Sequence, residues 1–464
     1  MALLFLSRSE VKSQLRSGKV TISVHGLGKL GLPLAVIYAN AGARVIGVDR
    51  SQNIVDALNK GKTLNSTEPR IRELVERLVH QKKLNATMNG VEAARKSDLS
   101  VIIVPTLVDE QLRPDFSFLE SATKDIGQGL RKGDVVLLES TVPPGTTDNF
   151  LRPILEKESG LKVSRDFGLV YSPERVYIGR IITDVVDRYP KLVGGVDKQS
   201  EEVIAAIYEV IARKGVIRLG STRVAEIIKV FEGVYRDVNI ALANEMAWIC
   251  EKLNIDVYRV IQAANTQPFC NILQPGIGVG GHCIPVYPHF LTDVIDSLNH
   301  KPSLIQTARK INLKAPLHTT NLVITELKAA EKSLKYAKVT VLGLSYRAGV
   351  KEDRFSPVYP LVEALKERGL MVVVHDPLWS RKEADRFPFY FTNDLEEATS
   401  GADCIIIATK HQQYQEKPLP QLLENVNKPA ILIDGRRMFD PTQMMNIKDI
   451  RYVAIGDIPS SNIN

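Results

Sequence analysis

Two doubly wound α/β domains with mostly parallel sheets, joined by a helical middle, are predicted from three observations. A glycine signature, Gly26-x-Gly28-x-x-Gly31, sits between a β-branched run at 20–24 and an apolar helical period at 32–41. From Ala337 a strand–turn–helix–strand pattern returns. Between the two, residues 221–255 contain no proline and repeat apolar positions at helical spacing, which predicts a helix on the order of 50 Å long.

The elements follow in order. The strand at 20–24, the glycine turn, the helix at 32–41 and a strand at 45–48 ending in Asp49 form a βαβ unit. Its acid falls close to the ~20-residue spacing of dinucleotide-binding folds. Strands are also predicted at 99–104 and 135–138. In the second half, a strand at 338–342, a turn at 343–345, a helix at 357–368 and strands at 371–374, 402–407 and 430–434 echo the first. Both ends are therefore Rossmann-like. The expected domains are 1–215, a cofactor domain; 216–325, a central helical and dimerisation domain; and 326–464, a second nucleotide domain. The second lacks the full glycine signature, which points to a different ligand.

The chain has 464 residues, 44% of them hydrophobic, ordinary for a globular protein. No apolar run reaches the ~20 residues of a membrane span, and the apolar start at 1–6 lacks the flanks of a signal peptide. Cys250, Cys270, Cys283 and Cys404 form no C-x-x-C pair and match no zinc spacing, so no metal is expected and a reducing, cytoplasmic setting is. The net charge of +7 is spread along the chain, so neither nucleic acid nor membrane is an expected partner. The sequons at 65–67 and 85–87 carry no weight in such a setting.

Each motif has a plain structural reading beside the chemical one. The glycines allow a tight turn and close backbone approach to a pyrophosphate, with a helix N-terminus facing the charge. Asp49 suits ribose hydroxyls and favours NAD over NADP, although Arg50 directly after it keeps NADP open. The segment 139–147, Glu-Ser-Thr-Val-Pro-Pro-Gly-Thr-Thr, ends a strand where ligands bind in parallel sheets, or else it is a proline-rich entry to a capped helix. Lys229, Gly233 and Arg236 share a helix face, and a glycine there costs about 0.5–1 kcal/mol, which implies close approach by a neighbour. Lys229 is otherwise a snorkelling surface lysine. Cys283 lies in Gly278-Val279-Gly280-Gly281-His282-Cys283-Ile284-Pro285. That glycine-rich setting argues for a reactive loop thiol over a buried one. A thiolate beside a nicotinamide can trap an aldehyde and carry it to an acid. Cys250 and Cys404 read as core residues.

Together these residues resemble the nucleotide-sugar 6-dehydrogenases, which oxidise a UDP-hexose twice to a UDP-hexuronic acid. The motifs occur in family order: 26–31, 140–146, Ser172-Pro173-Glu174-Arg175, Lys229, 278–285, and Asp353-Arg354-Phe355-Ser356-Pro357. The segments 236–241 and 280–285 look like the branch acting on UDP-N-acetylmannosamine or UDP-N-acetylglucosamine. UDP-glucose and UDP-N-acetylgalactosamine are the alternative substrates, and a UDP-sugar- and NAD-binding paralogue with weak turnover is the alternative from another class.

The resemblance implies Cys283 as covalent nucleophile, Lys229 as oxyanion stabiliser, Glu174 as the base that activates water, and Thr141 beside the water or nicotinamide. It implies NAD contacts at Gly26, Gly28, Leu30, Gly31, Asp49, Arg50, Thr106, Thr141 and Arg354. Substrate contacts are implied at Glu174, Arg175, Lys229, Arg236, Gly280, Gly281, Arg347, and Arg436 or Arg437. A homodimer is implied as well. The chain departs from the family at three places. Gly233 stands where an Asn is common, Tyr287 where an Asp is common, and Phe269 where an Arg commonly reaches across a dimer.

Overall fold

The computed structural model describes residues 2–64, 68–296, 301–444 and 447–457; the sequon at 65–67 lies outside them. The described residues form two compact units, those within 2–232 together with 289–296, and those within 233–288 together with 301–457.

In the first unit the strands are β1 (Thr21–His25), β2 (Arg44–Val48), β3 (Leu84–Thr87), β4 (Leu99–Ile102), β5 (Val135–Leu138), β6 (Gly168–Tyr171), β7 (Lys191–Gly195) and β8 (Val216–Arg218). Their order across the sheet is β8-β7-β6-β5-β4-β1-β2-β3. From β3 to β6 this is the 3-2-1-4-5-6 order of dinucleotide-binding sheets, all parallel. β7 then pairs antiparallel with β6, a reversal the sequence did not announce. The central strands β4 and β5 are buried along their whole length, as expected for a parallel sheet covered on both faces, and β5 is a continuous apolar run. The helix α1 (Gly31–Asn40) follows the glycine turn. β4 ends two residues earlier than expected. Val104 turns its carbonyl to the Ser140 hydroxyl instead (2.7 Å), and Pro105 has no N–H for a ladder. The apolar start is part of this core: Leu3 and Leu4 are buried, and the Leu4 N–H donates to the Gly133 carbonyl at 2.8 Å.

The predicted long helix is α2 (Thr222–Leu253), 32 residues. It begins in the first unit and ends in the second. A shorter helix, α3 (Tyr287–Asp296), follows the cysteine loop, and α4 (Ser303–Ala329) runs through Pro316.

The second sheet comprises β9 (Lys338–Leu342), β10 (Met371–His375), β11 (Tyr390–Thr392), β12 (Cys404–Ile407), β13 (Ala430–Asp434) and β14 (Ile450–Ala454). Its order, β11-β10-β9-β12-β13-β14, repeats that of the first sheet from β3 to β6, all parallel. Cys404 and Cys250 are buried as expected. Burial also pushes the Cys404 thiol far up in pKa, which makes it inert.

Candidate active site

The glycine turn between β1 and α1 divides its tasks. Gly26 has φ 101°, and a Cβ there would meet the Ile103 carbonyl at 2.8 Å. A Cβ on Gly31 would collide with the Gly26 carbonyl, so α1 can approach the strand only as glycine. Gly28 faces open space, the room a pyrophosphate needs against bare backbone. Asp49 braces the turn: its Oδ2 accepts from the Leu27 N–H and its Oδ1 from the Ser51 N–H, each at 2.9 Å. Each carboxylate oxygen keeps a second lone pair for a ribose hydroxyl. The Arg50 guanidinium lies over the Phe118 ring (5.3 Å). Thr106, just past β4, has a buried hydroxyl with no partner in the protein. These residues fit a bound NAD.

The same unit holds a carboxylate cluster at the ends of β5, β6 and β7. Lys191 donates to Glu139 (3.0 Å) and to Glu174, and Tyr208 donates to Glu139. All four residues are buried. Burial raises the Glu139 pKa to about 7, with Lys191 pulling it down and Glu174 pushing it up. Burial lowers the Lys191 pKa, but its two carboxylates more than offset that and the net direction is upward. Lys229, on α2, donates to the backbone carbonyl of Glu174. Arg175 is held by Glu232 (3.2 Å) and by the Pro190 carbonyl (2.6 Å). Sequence reasoning found Glu174 and Lys229. It missed Lys191 and Tyr208, which lie 17 and 69 residues from the carboxylates they meet.

It also missed Glu226, three residues before Lys229. The buried Glu226 carboxylate accepts from the Gly145 and Thr147 N–H groups and from the Thr147 hydroxyl (2.6 Å), tying the 140–147 loop that carries Thr141 to α2. Burial raises its pKa from 4.5 to about 7. A carboxyl whose folded pKa lies above its unfolded one gives stability that is full below the unfolded value and lost as pH rises through the folded value. The shift corresponds to roughly 3 kcal/mol across that window. Thermal unfolding from about pH 5 to about pH 8 is therefore expected to show a steeper fall in Tm for the native chain than for Glu226→Gln. Equal slopes would refute the assignment.

The second unit carries the cysteine loop. Cys283 is half-buried, and its carbonyl accepts from the Val286 (3.1 Å) and Tyr287 (2.9 Å) N–H groups at the start of α3. The loop rests on the 353–357 motif. The Gly281 N–H donates to the Arg354 carbonyl (2.9 Å), and a Cβ on Gly280 would meet Tyr346 Cβ at 2.6 Å and the Phe355 carbonyl at 2.9 Å. Gly281 has φ 91° and lies against the Tyr346 ring. Arg354 thus supports the loop through its backbone, a contact the sequence did not reveal, while its side chain is exposed. The close neighbour expected at Gly233 is Tyr287: a Cβ on Gly233 would collide with that ring.

The structure separates the two candidate arginines. Arg436 donates to the Ala408 carbonyl (2.7 Å) and lies beside Gly276. Arg437 is committed to Asp256 (2.7 Å) and Asp457 and lies over the Tyr258 ring. Arg236 and Arg347 are half-buried, and both act electrostatically on Tyr346. Phe269 is 93% exposed. Asp376, the second unit's counterpart of Asp49, takes the Leu344 and Ser345 N–H groups (2.8 and 2.7 Å) and faces His411 (3.2 Å), all fully buried. It is sealed from a ribose, in keeping with a different ligand in this domain. Among the described residues no cluster of side chains is suited to a metal, and no helix is long and apolar enough to cross a membrane.

A dinucleotide turn, a repeated nucleotide-type sheet and a loop cysteine define a nucleotide-dependent α/β oxidoreductase. Comparison with known proteins carries this further. Residues 20–212 match the NAD binding domain of the UDP-glucose/GDP-mannose dehydrogenase family, 223–314 its central domain and 340–441 its UDP binding domain. The UDP-N-acetyl-D-mannosamine dehydrogenase of Pyrococcus horikoshii is 34% identical, over 94% of this chain and 100% of that one. An NDP-N-acetyl-D-galactosaminuronic acid dehydrogenase of Ralstonia nicotianae is 35% identical, over 90% and 96%. Among solved structures, the P. horikoshii enzyme superposes with a TM-score of 0.84 at 32% identity, covering 94% of this chain and 99% of that one. The NDP-N-acetyl-D-galactosaminuronic acid dehydrogenase of Methanosarcina mazei Go1 also gives 0.84, at 29% identity, covering 99% and 100%. The chain belongs to the UDP-glucose/GDP-mannose dehydrogenase family and is an NAD-dependent UDP-sugar dehydrogenase.

Proposed function

We propose that the chain oxidises C6 of a UDP-N-acetylhexosamine, UDP-N-acetylmannosamine first among them, to the uronic acid for surface polysaccharide or glycan synthesis. The observation that carries this reading is near-full-length likeness to dehydrogenases named for that sugar, in Pyrococcus, Methanococcus and Campylobacter. The N-acetylgalactosaminuronic acid dehydrogenases of Ralstonia keep the galacto sugar as a second reading. Mixing the protein with NAD and each UDP-sugar, then counting NADH per sugar consumed, tests it. Two NADH per sugar with an N-acetylated substrate supports the proposal, and no NADH with any of them ends it.

Three domains serve this chemistry in our reading: 1–215 for NAD, 216–325 for the cysteine loop and pairing, and 326–464 for UDP. Gly26, Gly28, Leu30, Gly31, Asp49, Arg50, Thr106, Thr141 and Arg354 hold the cofactor. Arg175, Arg236, Gly280, Gly281, Arg347 and Arg436 hold the substrate, with Arg437 shaping the loop that presents Arg436. NAD, when bound, supplies the hydride acceptor for each oxidation. The Cys283 thiolate adds to the aldehyde, and loss of hydride from the thiohemiacetal leaves a thioester. Lys229 places positive charge where each tetrahedral oxyanion develops. Glu174 takes a proton from the water that attacks the thioester, and the Cys283 thiolate leaves. The compartment is the cytoplasm.

Pairing of two copies runs along α2. Phe231, Tyr235, Leu242, Ile249 and Leu253 recur at steps of seven and four on that helix and are all exposed, Ile249 by 54% and Leu253 by 60%. Ile249→Asp is expected to convert a dimer to monomer in sedimentation. An unchanged sedimentation coefficient would remove this surface from the interface.

A further inference from the structure

We propose that Glu139 and Lys191 are positioning residues for Glu174: Lys191 holds one of its oxygens, Glu139 carries the proton that balances the trio's charge, and Glu174 Oε2 is left to accept a proton from water. This rests on Glu174 acting as the base. Two carboxyls share one ammonium here. Lys191 reaches Oε1 of both Glu139 and Glu174, and Glu139 Oε1 also takes the Tyr208 hydroxyl. Tyr208 is itself paired with the Tyr38 hydroxyl at 2.6 Å, and the Lys191 ammonium lies over the Tyr208 ring at 4.3 Å. Glu139, Glu174 and Lys191 are 2%, 4% and 5% exposed, so solvent cannot screen a second negative charge.

The second oxygens, Glu139 Oε2 and Glu174 Oε2, are buried and have no partner in the protein. A carboxylate oxygen left bare in the interior is costly unless it has a use. A recess of about 10 Å³, the room of a single water, is lined by Pro173, Glu174, Arg175, Asp184, Tyr189 and Lys191. The titratable groups facing Glu139 are Glu174, Lys191, Tyr208, Tyr38 and Tyr171. Burial drives the three tyrosine pKa values far up, so they stay neutral, and the only acid–base choice in the cluster lies between the two carboxyls. Glu139 takes the proton, on its partnerless Oε2, because burial and the neighbouring Glu174 raise its pKa to about 7 against the pull of Lys191 and Tyr208 on Oε1.

The step balances. Water gives its proton to Glu174 Oε2, its oxygen bonds to the thioester carbon, and the C–S bond breaks to return the Cys283 thiolate. Lys191 and protonated Glu139 are unchanged.

The test compares Glu139→Gln, which fixes the neutral form with the same shape, with Lys191→Met and Lys191→Arg. Single-turnover kinetics separate the NADH formed up to the thioester from hydrolysis. In the native protein, hydrolysis is expected to inflect near pH 7. In Glu139→Gln that inflection should vanish, with the NADH phase unchanged. Lys191→Met should slow hydrolysis by roughly 100-fold with the NADH phase intact, and Lys191→Arg should recover part of it. An inflection that survives in Glu139→Gln, or equal loss in both phases, overturns the proposal. Glu174→Gln reports separately on the underlying reading, since undiminished hydrolysis there removes the base itself. Difference infrared spectroscopy of the protein without substrate gives a readout free of turnover. A carboxyl titrating near pH 7 should be present in the native chain and absent in Glu139→Gln; its absence from the native chain overturns the proposal.

Discussion

Cys283→Ala is expected to lose uronate formation by ~1,000-fold or more, while binding NAD and UDP-sugar as the native protein does. The size follows from the role. Without a covalent anchor the aldehyde has no route to a thioester, and removing a nucleophile typically costs far more than removing a binding group. The fold should survive, because Cys283 is half-buried in a loop and the backbone bonds from Gly281, Val286 and Tyr287 do not depend on its side chain. Calorimetry with each ligand checks the intact sites, and chromatographic quantitation of the acid checks the loss. Uronate at the native rate would remove Cys283 from the chemistry.

The second large effect concerns Gly233 and Tyr287. The resemblance read from the sequence expects other residues at both positions, and the structure places the two against each other. The Tyr287 ring occupies the space a side chain at 233 needs, and its N–H holds the Cys283 carbonyl. Gly233→Asn alone is therefore expected to cost about 1–3 kcal/mol through overpacking and to displace the cysteine loop, lowering kcat. The double variant Gly233→Asn, Tyr287→Asp restores the usual family pair and should recover most of that loss, with a coupling energy on the order of 1–3 kcal/mol. Denaturant unfolding and steady-state kinetics of both singles and the double close the cycle. Additive effects would show that the two departures arose independently.

How much of this was legible in the sequence varies by element. The glycine turn, the first strands of each sheet and α2 were placed to within two residues because their signals are local: β-branched runs, fixed glycine spacing and an unbroken helical period. β3, β6, β7, β8, β11 and β14 were missed. They have three to five residues each, and turns and prolines such as Pro173 and Pro190 crowd those of the first sheet, so no window held enough alternation to register. The antiparallel turn between β6 and β7 went with them. That gap hid Lys191, whose meaning depends on β7 lying beside β6. Arg437 shows the same limit, since its partner Asp256 lies 181 residues away. Glu226 was the readable exception. A lone acid between Ala225 and Ile227 on a helix face that packs inward needs donors, and the Gly-Thr-Thr entry supplies them.

The shared strand order of the two sheets bears on how this chain is made. Each of the six strands of the second sheet has a counterpart of the same order and direction among the eight of the first, so a chain refolding all at once can seat a segment in the wrong half. Emergence from the ribosome avoids that trap. The last strand of the first sheet ends at Arg218, and the first of the second begins at Lys338. Residues 219–337 separate the two, so in a chain made from its N-terminus the strands of the first sheet are out before those of the second exist.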